Sequence, residues 1–401
     1  MKKSRILICT IALMLGIATL VGCGGGSEAE KPSSSVGVSA GATGDQTGST
    51  PDATPTPNQT TLKEKREKTQ IGAWYSLWYD SLEKNSFWDN EGTGLPILYR
   101  PLLPDGTFGK YDSGDEAVIQ FHLQEIAAAG IDFLIFDQTN DIDAMNAEGK
   151  AWININSIKM AKAISAWNKV PGNRQIRYCS SIGTFASVDK ATGQALAVKN
   201  LQVIEDEARK LYGRYINKKD YGSEVDHVYV DGKPLMVIFT VTQAEWEAYA
   251  KTHNTPYTDK FTLRFAVGHA YEPGLWGWVI PRVQVTEDVA TIVPGWDKIN
   301  HILEDVPRNN GATYKKQWET VLASDITPNF IVINSINEYA EHTAVWPADT
   351  SALPTSPAKD SGYSGYYKVV RWVNEEGKED PYMYWNMTKS YIQKYRNGDV
   401  K

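Results

Sequence analysis

Two glutamates, Glu338 and Glu341, stand three residues apart soon after a short apolar, β-branched run that begins at Phe330. Such a run is typical of a buried parallel strand, and the carboxyl ends of parallel strands are where ligands bind in barrels and open α/β sheets. Two carboxyl groups placed there can divide the work of acid and base, as cleavage of a glycosidic bond requires. The same spacing also occurs in solvated surface loops, so the pair alone leaves both interpretations open.

Other polar and aromatic residues at predicted strand ends are candidates for binding a substrate. Asp137 ends a buried strand, where an acid usually has either a protein partner or a ligand. Asn337 and Tyr339 flank Glu338 and are expected to orient it or to bind a substrate hydroxyl. Aromatic faces stack on sugar rings, although most tryptophans are simply core. The aromatic candidates are Tyr75, Trp78, Tyr111 and Trp278.

Motifs for metal or cofactor chemistry are missing from the sequence. The histidines show no His-x-x-x-His spacing, and there is neither a glycine-rich phosphate loop nor a Gly-x-Ser-x-Gly elbow. We therefore expect no metal and no cofactor. His122 lies within a predicted helix and is expected to be packed, whereas His342 is expected to be exposed in a loop.

Strand and helix patterns alternate through the chain from about residue 70 onwards. A helix is predicted over Asp115 to Ala129, with Gly130 as its C-terminal stop. Roughly eight strands alternating with helices indicate an α/β fold, a (β/α)8 TIM barrel in one domain over residues 70–401. The predicted strands are Ile71–Tyr79, Ile131–Asp137, Gln175–Ile182, Pro234–Phe239, Phe261–Val267, Trp276–Ile280, Val289–Val293 and the run from Phe330.

The N-terminus has the pattern of a targeting segment. Lys2, Lys3 and Arg5 precede an apolar run that ends with Val21-Gly22-Cys23. This is typical of a bacterial lipoprotein signal peptide over residues 1–22, with Cys23 lipidated; a transmembrane anchor is the alternative, for which the run is short. Residues 23–69 contain a Gly/Ser/Thr/Pro-rich stretch and predict a flexible tether. We expect a lipid-anchored protein on the extracytoplasmic face, with the membrane as partner.

Composition excludes several classes of function. The 401 residues carry a net charge of −7, which disfavours a nucleic-acid partner. Thirteen tryptophans and 21 tyrosines exceed what a typical domain contains. The cysteines are Cys9, Cys23 and Cys179, so the mature chain has no disulfide framework, and Cys179 is expected to be a small buried residue. We expect a monomer whose partner is an oligosaccharide or polysaccharide.

Several motifs, taken in order, resemble glycoside hydrolase family 99, which holds endo-α-mannosidases and endomannanases. Asn337-Glu338-Tyr339-Ala340-Glu341-His342-Thr343, followed by Pro347-Ala348, is similar to that family's Asn-Glu-Trp-x-Glu-Gly-Thr…Pro-Ala signature. The resemblance covers about Ile71 to Gly398. Further matching pieces are Ile71–Tyr75, Gly109–Ser113, Gly232–Pro234, Trp276–Trp278, Pro294–Trp296 and Tyr384–Thr388.

The resemblance implies a retaining, endo-acting glycosidase for α-linked mannose or glucose polymers. Glu338 would act as the base that takes the proton of the substrate 2-hydroxyl, giving an epoxide-like intermediate, and Glu341 would be the acid/base. This requires a raised pKa for Glu341 while Glu338 is ionised. The departures are Tyr339 for the family's Trp, His342 for its Gly, and Asp137-Gln138-Thr139 for a Trp-rich strand end. Tyr339 also fits the Asn-Asp-Tyr-x-Glu pattern of family 71 α-1,3-glucanases.

A different class of function is compatible with the same residues. A non-catalytic glycan-binding lipoprotein on the same barrel would explain the departures at Tyr339 and His342. Retention of both acids at the family's spacing argues for the enzyme.

Overall fold

A computed structural model describes residues 57–80, 88, 97–143, 152–184, 200–217, 226–269, 272–297, 306–355 and 370–400. The predicted signal peptide, Cys23 and the tether as far as residue 56 lie outside these residues. Within the described ranges, no helix has the length and apolar character needed to cross a membrane.

The described elements alternate between strands and helices, as predicted. The strands are β1 (Gln70–Ser76), β2 (Arg100–Pro101), β3 (Phe133–Asp137), β4 (Arg177–Gly183), β5 (Tyr229–Val230), β6 (Lys233–Phe239), β7 (Thr262–His269), β8 (Trp278–Val279), β9 (Val289–Ile292), β10 (Phe330–Ile333) and β11 (Ala348–Asp349). The α-helices are α1 (Pro57–Glu67), α2 (Glu116–Ala129), α3 (Trp152–Asn168), α4 (Gln202–Leu211), α5 (Gln243–Ala250), α6 (Ala312–Ala323) and α7 (Met383–Asn397).

The main sheet is parallel and curled. Its strand order is β8-β7-β6-β4-β3-β1-β10-β9, and β5 adds an antiparallel hairpin to β6. Side chains connect the two ends of this order: Thr291 Oγ1 donates to the Leu275 carbonyl (2.6 Å), and Gln317 links the Val293 N–H to the Ile280 carbonyl. The structure thus shows a curled α/β sheet, without a described backbone ladder between β8 and β9.

Alternating residues of the strands serve two different cores. One set faces the concave side of the sheet and includes Trp74, Ile135 and Cys179. The other set, which includes Tyr75 and Phe136, packs against the surrounding helices. Cys179 is fully buried, as expected from the sequence. Because these strands are buried on both faces, their sequences are continuous apolar runs.

The helix that follows β1 begins and ends where the sequence indicates. The Asp115 carboxylate accepts hydrogen bonds from Ala117 N (2.8 Å) and Val118 N (3.2 Å), which caps the first turn of α2. Gly130 ends the helix in the left-handed conformation, with φ 85°, which glycine adopts without strain. This capping fixes the direction in which the chain enters β3.

Helix α1 packs on the domain although it lies in the stretch assigned to the tether. Arg66 is buried and donates to the carbonyls of Asp399 (2.6 Å) and Leu322 (2.8 Å). Thr69 hydrogen-bonds the Pro328 carbonyl and the Tyr395 hydroxyl. The packed structure therefore begins before Gln70, and the last part of the predicted tether is helical.

The strand register aligns three polar residues at the carboxyl end of the sheet. Ser76 of β1 pairs with Asp137 of β3, and Asp137 pairs with Ser181 of β4. Since all three strands run parallel, this edge is where the predicted acids must also lie.

Candidate active site

The loop after β10 carries both glutamates and is held in place by its own hydrogen bonds. Ser335 Oγ accepts from Glu338 N (2.9 Å) and pairs with Thr343 Oγ1 (2.9 Å). The Glu338 carbonyl accepts from the N–H groups of Thr343 and Ala344, each at 3.0 Å. These bonds close the segment into a compact turn, so both acids are positioned by backbone geometry.

Glu338 is buried with its carboxylate turned into the loop. Its Oε1 accepts from Ala340 N (2.7 Å) and Glu341 N (3.2 Å), and its Oε2 lies 3.5 Å from Ser76 Oγ. Only 2% of the residue is exposed. Burial raises the pKa of Glu338, and the neighbouring carboxyl groups of Glu341 and Asp137 raise it further.

Glu341 is partly exposed and is held by two indole groups. Trp278 Nε1 donates to Glu341 Oε2, and Trp296 Nε1 donates to the same oxygen at 2.9 Å. The two N–H groups stabilise negative charge on this carboxylate. Glu341 and Glu338 thus lie in different surroundings, one held by indole N–H groups and the other by backbone N–H groups.

Asp137 joins the two glutamates at the end of β3. Its Oδ1 accepts from Thr139 Oγ1 (2.7 Å) and Thr139 N (3.2 Å). Burial raises the pKa of Asp137 to about 7, and the charge of Glu341 contributes to this shift. Ionising all three neighbouring carboxyl groups costs free energy, because like charges repel. The cluster therefore retains protons near neutral pH.

Asn337 makes structural contacts. Its side-chain amide pairs with the Ser76 backbone in both directions, through Ser76 N (2.7 Å) and the Ser76 carbonyl (2.9 Å). It also donates to the Tyr111 hydroxyl (2.9 Å). Asn337 therefore joins β1 to the acid-bearing loop, and it orients Glu338 through the backbone.

Of the predicted aromatic residues, only Trp278 contacts an acid in the structure. Tyr75 points towards the helices, where its hydroxyl lies 2.6 Å from His122 Nδ1. Tyr111, Tyr339 and Trp78 are all at most 4% exposed. The Tyr339 ring packs in an aromatic group behind the loop, with Tyr79, Trp88 and Tyr99 as neighbours. These rings support the site from behind, and their sugar-binding roles stay predictions.

His342 is buried, which corrects the expectation that it is an exposed loop residue. Its Nδ1 lies 3.2 Å from the Tyr99 hydroxyl, and burial lowers its pKa to about 3. Its backbone is left-handed, with φ 55°, a conformation that favours glycine. His122 is packed, as expected, between Tyr75 and Trp346.

Trp296, Ser76 and Thr139 belong to the site but were not among its predicted residues. Each follows or ends a strand at the carboxyl edge of the sheet, and Trp296 lies in the Pro294-Gly295-Trp296 piece of the resemblance. Position at a strand end was the available signal. In the part of the chain that is described, no group of three His, Cys, Asp or Glu residues is arranged to hold a metal ion.

Comparison with known proteins supports the fold. No protein-family model matches the chain, and no curated protein matches it. A structure of the GH99 endo-α-mannosidase from Bacteroides thetaiotaomicron, in complex with bis-tris propane, is similar with a TM-score of 0.52. The two sequences are 15% identical, and the match covers 82% of this chain and 98% of that one.

Two further solved structures are similar at lower scores. A second structure of the same B. thetaiotaomicron enzyme has a TM-score of 0.48 at 15% identity, covering 82% of this chain and 98% of that one. A glycoside hydrolase-like protein has a TM-score of 0.39 at 12% identity, covering 75% of this chain and 92% of that one. By the first of the three matches, this chain has a GH99-like fold.

Proposed function

We propose that this protein is a retaining glycoside hydrolase that cleaves α-linked mannose or glucose polysaccharides within the chain. The observation that carries the proposal is the pairing of Glu338 with Glu341 at the carboxyl edge of the sheet, in two different environments. One carboxyl is buried and has a raised pKa, and the other is oriented by two indole N–H groups. The GH99-like fold supports the same class of reaction, on a barrel closed between β8 and β9.

The proposed roles follow the family resemblance. Glu338 takes the proton of the substrate 2-hydroxyl, and its raised pKa makes it a stronger base once it is ionised. Glu341 protonates the leaving oxygen and then activates water.

Activated substrates distinguish the two roles. The phenolate of an aryl glycoside with an acidic phenol leaves without being protonated. Cleavage of such a substrate therefore does not need a general acid. Glu341→Gln should therefore lose turnover of polysaccharide yet release phenol in a first-turnover burst, whereas Glu338→Gln should release none. The opposite result, a burst in Glu338→Gln alone, would exchange the roles of the two residues.

The substrate is tested on the purified full-length protein with α-mannans, α-1,3-glucans and other α-glucans. Product release that disappears in Glu341→Gln would establish the hydrolase and identify the sugar. Asp325→Asn, an exposed acid between α6 and β10, is the control for loss of charge. Binding without release in both proteins would favour the glycan-binding protein.

The same proposal places the protein on the extracytoplasmic face of a membrane, anchored by lipid on Cys23. The basic start and the small residues before Cys23 are the support. Incorporation of labelled fatty acid by the producing cells tests it. We expect label in the native chain and in Cys179→Ala, and none in Cys23→Ala; label retained in Cys23→Ala would contradict the anchor.

A further inference from the structure

Ser181 is a buried residue for which the proposed mechanism has no use. It lies on β4 with no exposed surface, and its hydroxyl has no hydrogen-bond partner in the structure. Buried hydroxyl groups nearly always have a partner, because an unpaired one has lost its hydrogen bonds to water without replacement. An unpaired hydroxyl that faces a candidate active site is therefore available to a ligand group.

The sheet directs Ser181 to the concave side, next to the acids. Cys179, two residues earlier on β4, belongs to the concave core, so Ser181 shares its direction. Its partner across the strands is Asp137, whose own partner on the other side is Ser76. Ser76 Oγ in turn lies 3.5 Å from Glu338 Oε2. We call Ser76, Asp137 and Ser181 the polar row.

The row is buried to nearly the same extent as Glu338. Glu338 is 2% exposed and Asp137 3%, close to the complete burial of Ser181. The carboxyl group of Asp137 interacts electrostatically with those of Glu338 and Glu341, so the row borders the acid pair.

Two members of the row, Asp137 and Ser181, have hydrogen-bonding atoms that the described residues do not use. Asp137 Oδ1 is occupied by Thr139, and Oδ2 has no hydrogen-bond partner among the described residues. Ser181 Oγ can donate one hydrogen bond and accept two. Two adjacent groups of this kind match two hydroxyls on neighbouring carbons of a pyranose ring.

We propose that Ser181 and Asp137 together bind a vicinal pair of sugar hydroxyls beside the acid pair, and so select substrates that carry both. This inference rests on the proposed function, since it names the chemistry by which that site recognises its sugar. It assigns Ser181 to substrate binding and leaves bond cleavage to the two glutamates.

Ser180 offers a matched control on the same strand. It is buried, its hydroxyl also has no hydrogen-bond partner, and it points to the helix-facing side with Tyr178 and Ile182. Ser180→Ala and Ser181→Ala remove the same hydroxyl at the same depth of burial. A general effect on folding would change both proteins alike.

The experiment measures binding of α-linked mannotriose and glucotriose by calorimetry, in the Glu341→Gln background of the full chain. We expect Ser181→Ala to weaken binding about three- to tenfold and Ser180→Ala to leave it unchanged. Trisaccharides lacking one hydroxyl of the recognised pair should bind more weakly to the parent, and Ser181→Ala should add little further loss.

The outcomes separate this inference from the proposed function. If the native protein cleaves the sugar, and the two serine variants bind it with equal affinity, then the role of Ser181 is refuted and the hydrolase is not. Binding weakened by Ser181→Ala without turnover in the native protein would support the polar row and refute the hydrolase. Absence of binding to every α-linked sugar would refute both.

Discussion

Trp296 donates a 2.9 Å hydrogen bond to Glu341, although the two residues are 45 positions apart in the chain. The contact joins the end of β9 to the loop after β10, and Trp278 adds a second indole N–H from β8. Two indole groups, one on β8 and one following β9, thus converge on one oxygen of a carboxylate that follows β10. The position of Glu341 depends on this part of the sheet being assembled.

Trp296→Phe should slow turnover without abolishing substrate binding. The substitution keeps an aromatic ring but removes the N–H donor to a charged group, a bond that contributes about 1.5–3 kcal/mol. We expect kcat to fall about ten- to a hundredfold, with a smaller change in KM. Steady-state kinetics on the polysaccharide that the native protein cleaves is the measurement.

Trp318→Phe is the matched control. Trp318 is buried in α6, stacks on Tyr391 and packs edge-on against Tyr314. Its loss should leave kcat unchanged. An equal fall in both variants would mean that core packing, and not the bond to Glu341, sets the rate.

Asp137→Asn should stabilise the protein at pH 8 more than at pH 5. The pKa of Asp137 is raised to about 7 in the folded state, so folding is opposed by ionisation as the pH rises through that value. Below about pH 4, Asp137 is protonated in both the folded and the unfolded protein, and its contribution to stability is fully present. Removing the ionisable group should therefore add about 3 kcal/mol more to the free energy of unfolding at pH 8 than at pH 5.

Denaturant unfolding at the two pH values measures this difference. Asparagine keeps the oxygen that accepts from Thr139, so the local hydrogen bonds survive. Asp325→Asn provides the control for loss of an exposed acid. Equal effects of Asp137→Asn at pH 5 and pH 8 would show that Asp137 is ionised throughout.

His227→Phe should show the opposite dependence on pH. His227 is buried against Tyr178 with no partner for either ring nitrogen in the described structure, and burial lowers its pKa to about 3. Between pH 6.5 and 3 only the unfolded chain takes up the proton, so stability falls as the pH falls. Phenylalanine should therefore add about 2 kcal/mol more stability at pH 5 than at pH 8.

The exposed His253 supplies the comparison for this variant. His253→Phe measures the effect of losing an exposed histidine at each pH. Equal effects of His227→Phe at pH 5 and pH 8 would mean that burial does not lower the pKa of His227.

The elements and the acids were predictable from local patterns, whereas the direction of the aromatic side chains was not. Strands buried on both faces are apolar at every position, so the pattern does not tell that Tyr75 faces the helices while Trp74 faces the concave side. The bond from Trp296 to Glu341 depends on the order of strands, which local periodicity does not contain.

The burial of His342 was missed for a related reason. Its position in a polar loop predicts exposure, but Tyr99 and Arg308 cover it from parts of the chain more than thirty residues away, at 243 and 34 positions. Its left-handed backbone explains why a glycine would suit the same position. Contacts between distant segments, and not the local composition, decide whether such a loop is solvated.

Arg308→Lys should loosen the acid-bearing loop and slow catalysis. Arg308 donates to the His342 carbonyl through Nε (3.1 Å) and Nη2 (2.7 Å), and to the Ala344 carbonyl at 2.7 Å. Its guanidinium lies over the rings of Trp372 and Tyr384, at 5.1 Å and 4.4 Å. Lysine keeps the charge but cannot reproduce the planar, forked donation.

We expect kcat to fall at least tenfold, and the free energy of unfolding to fall by about 2 kcal/mol. Arg371→Lys is the control, because Arg371 hydrogen-bonds the Leu353 carbonyl and Glu379 and makes no contact with the loop. That variant should keep its kcat. Arg308→Lys could instead unfold more easily but turn over substrate at the native rate. In that case the hydrogen bonds that link Glu338 with Ser335 and Thr343 within the loop would be sufficient to position the acids.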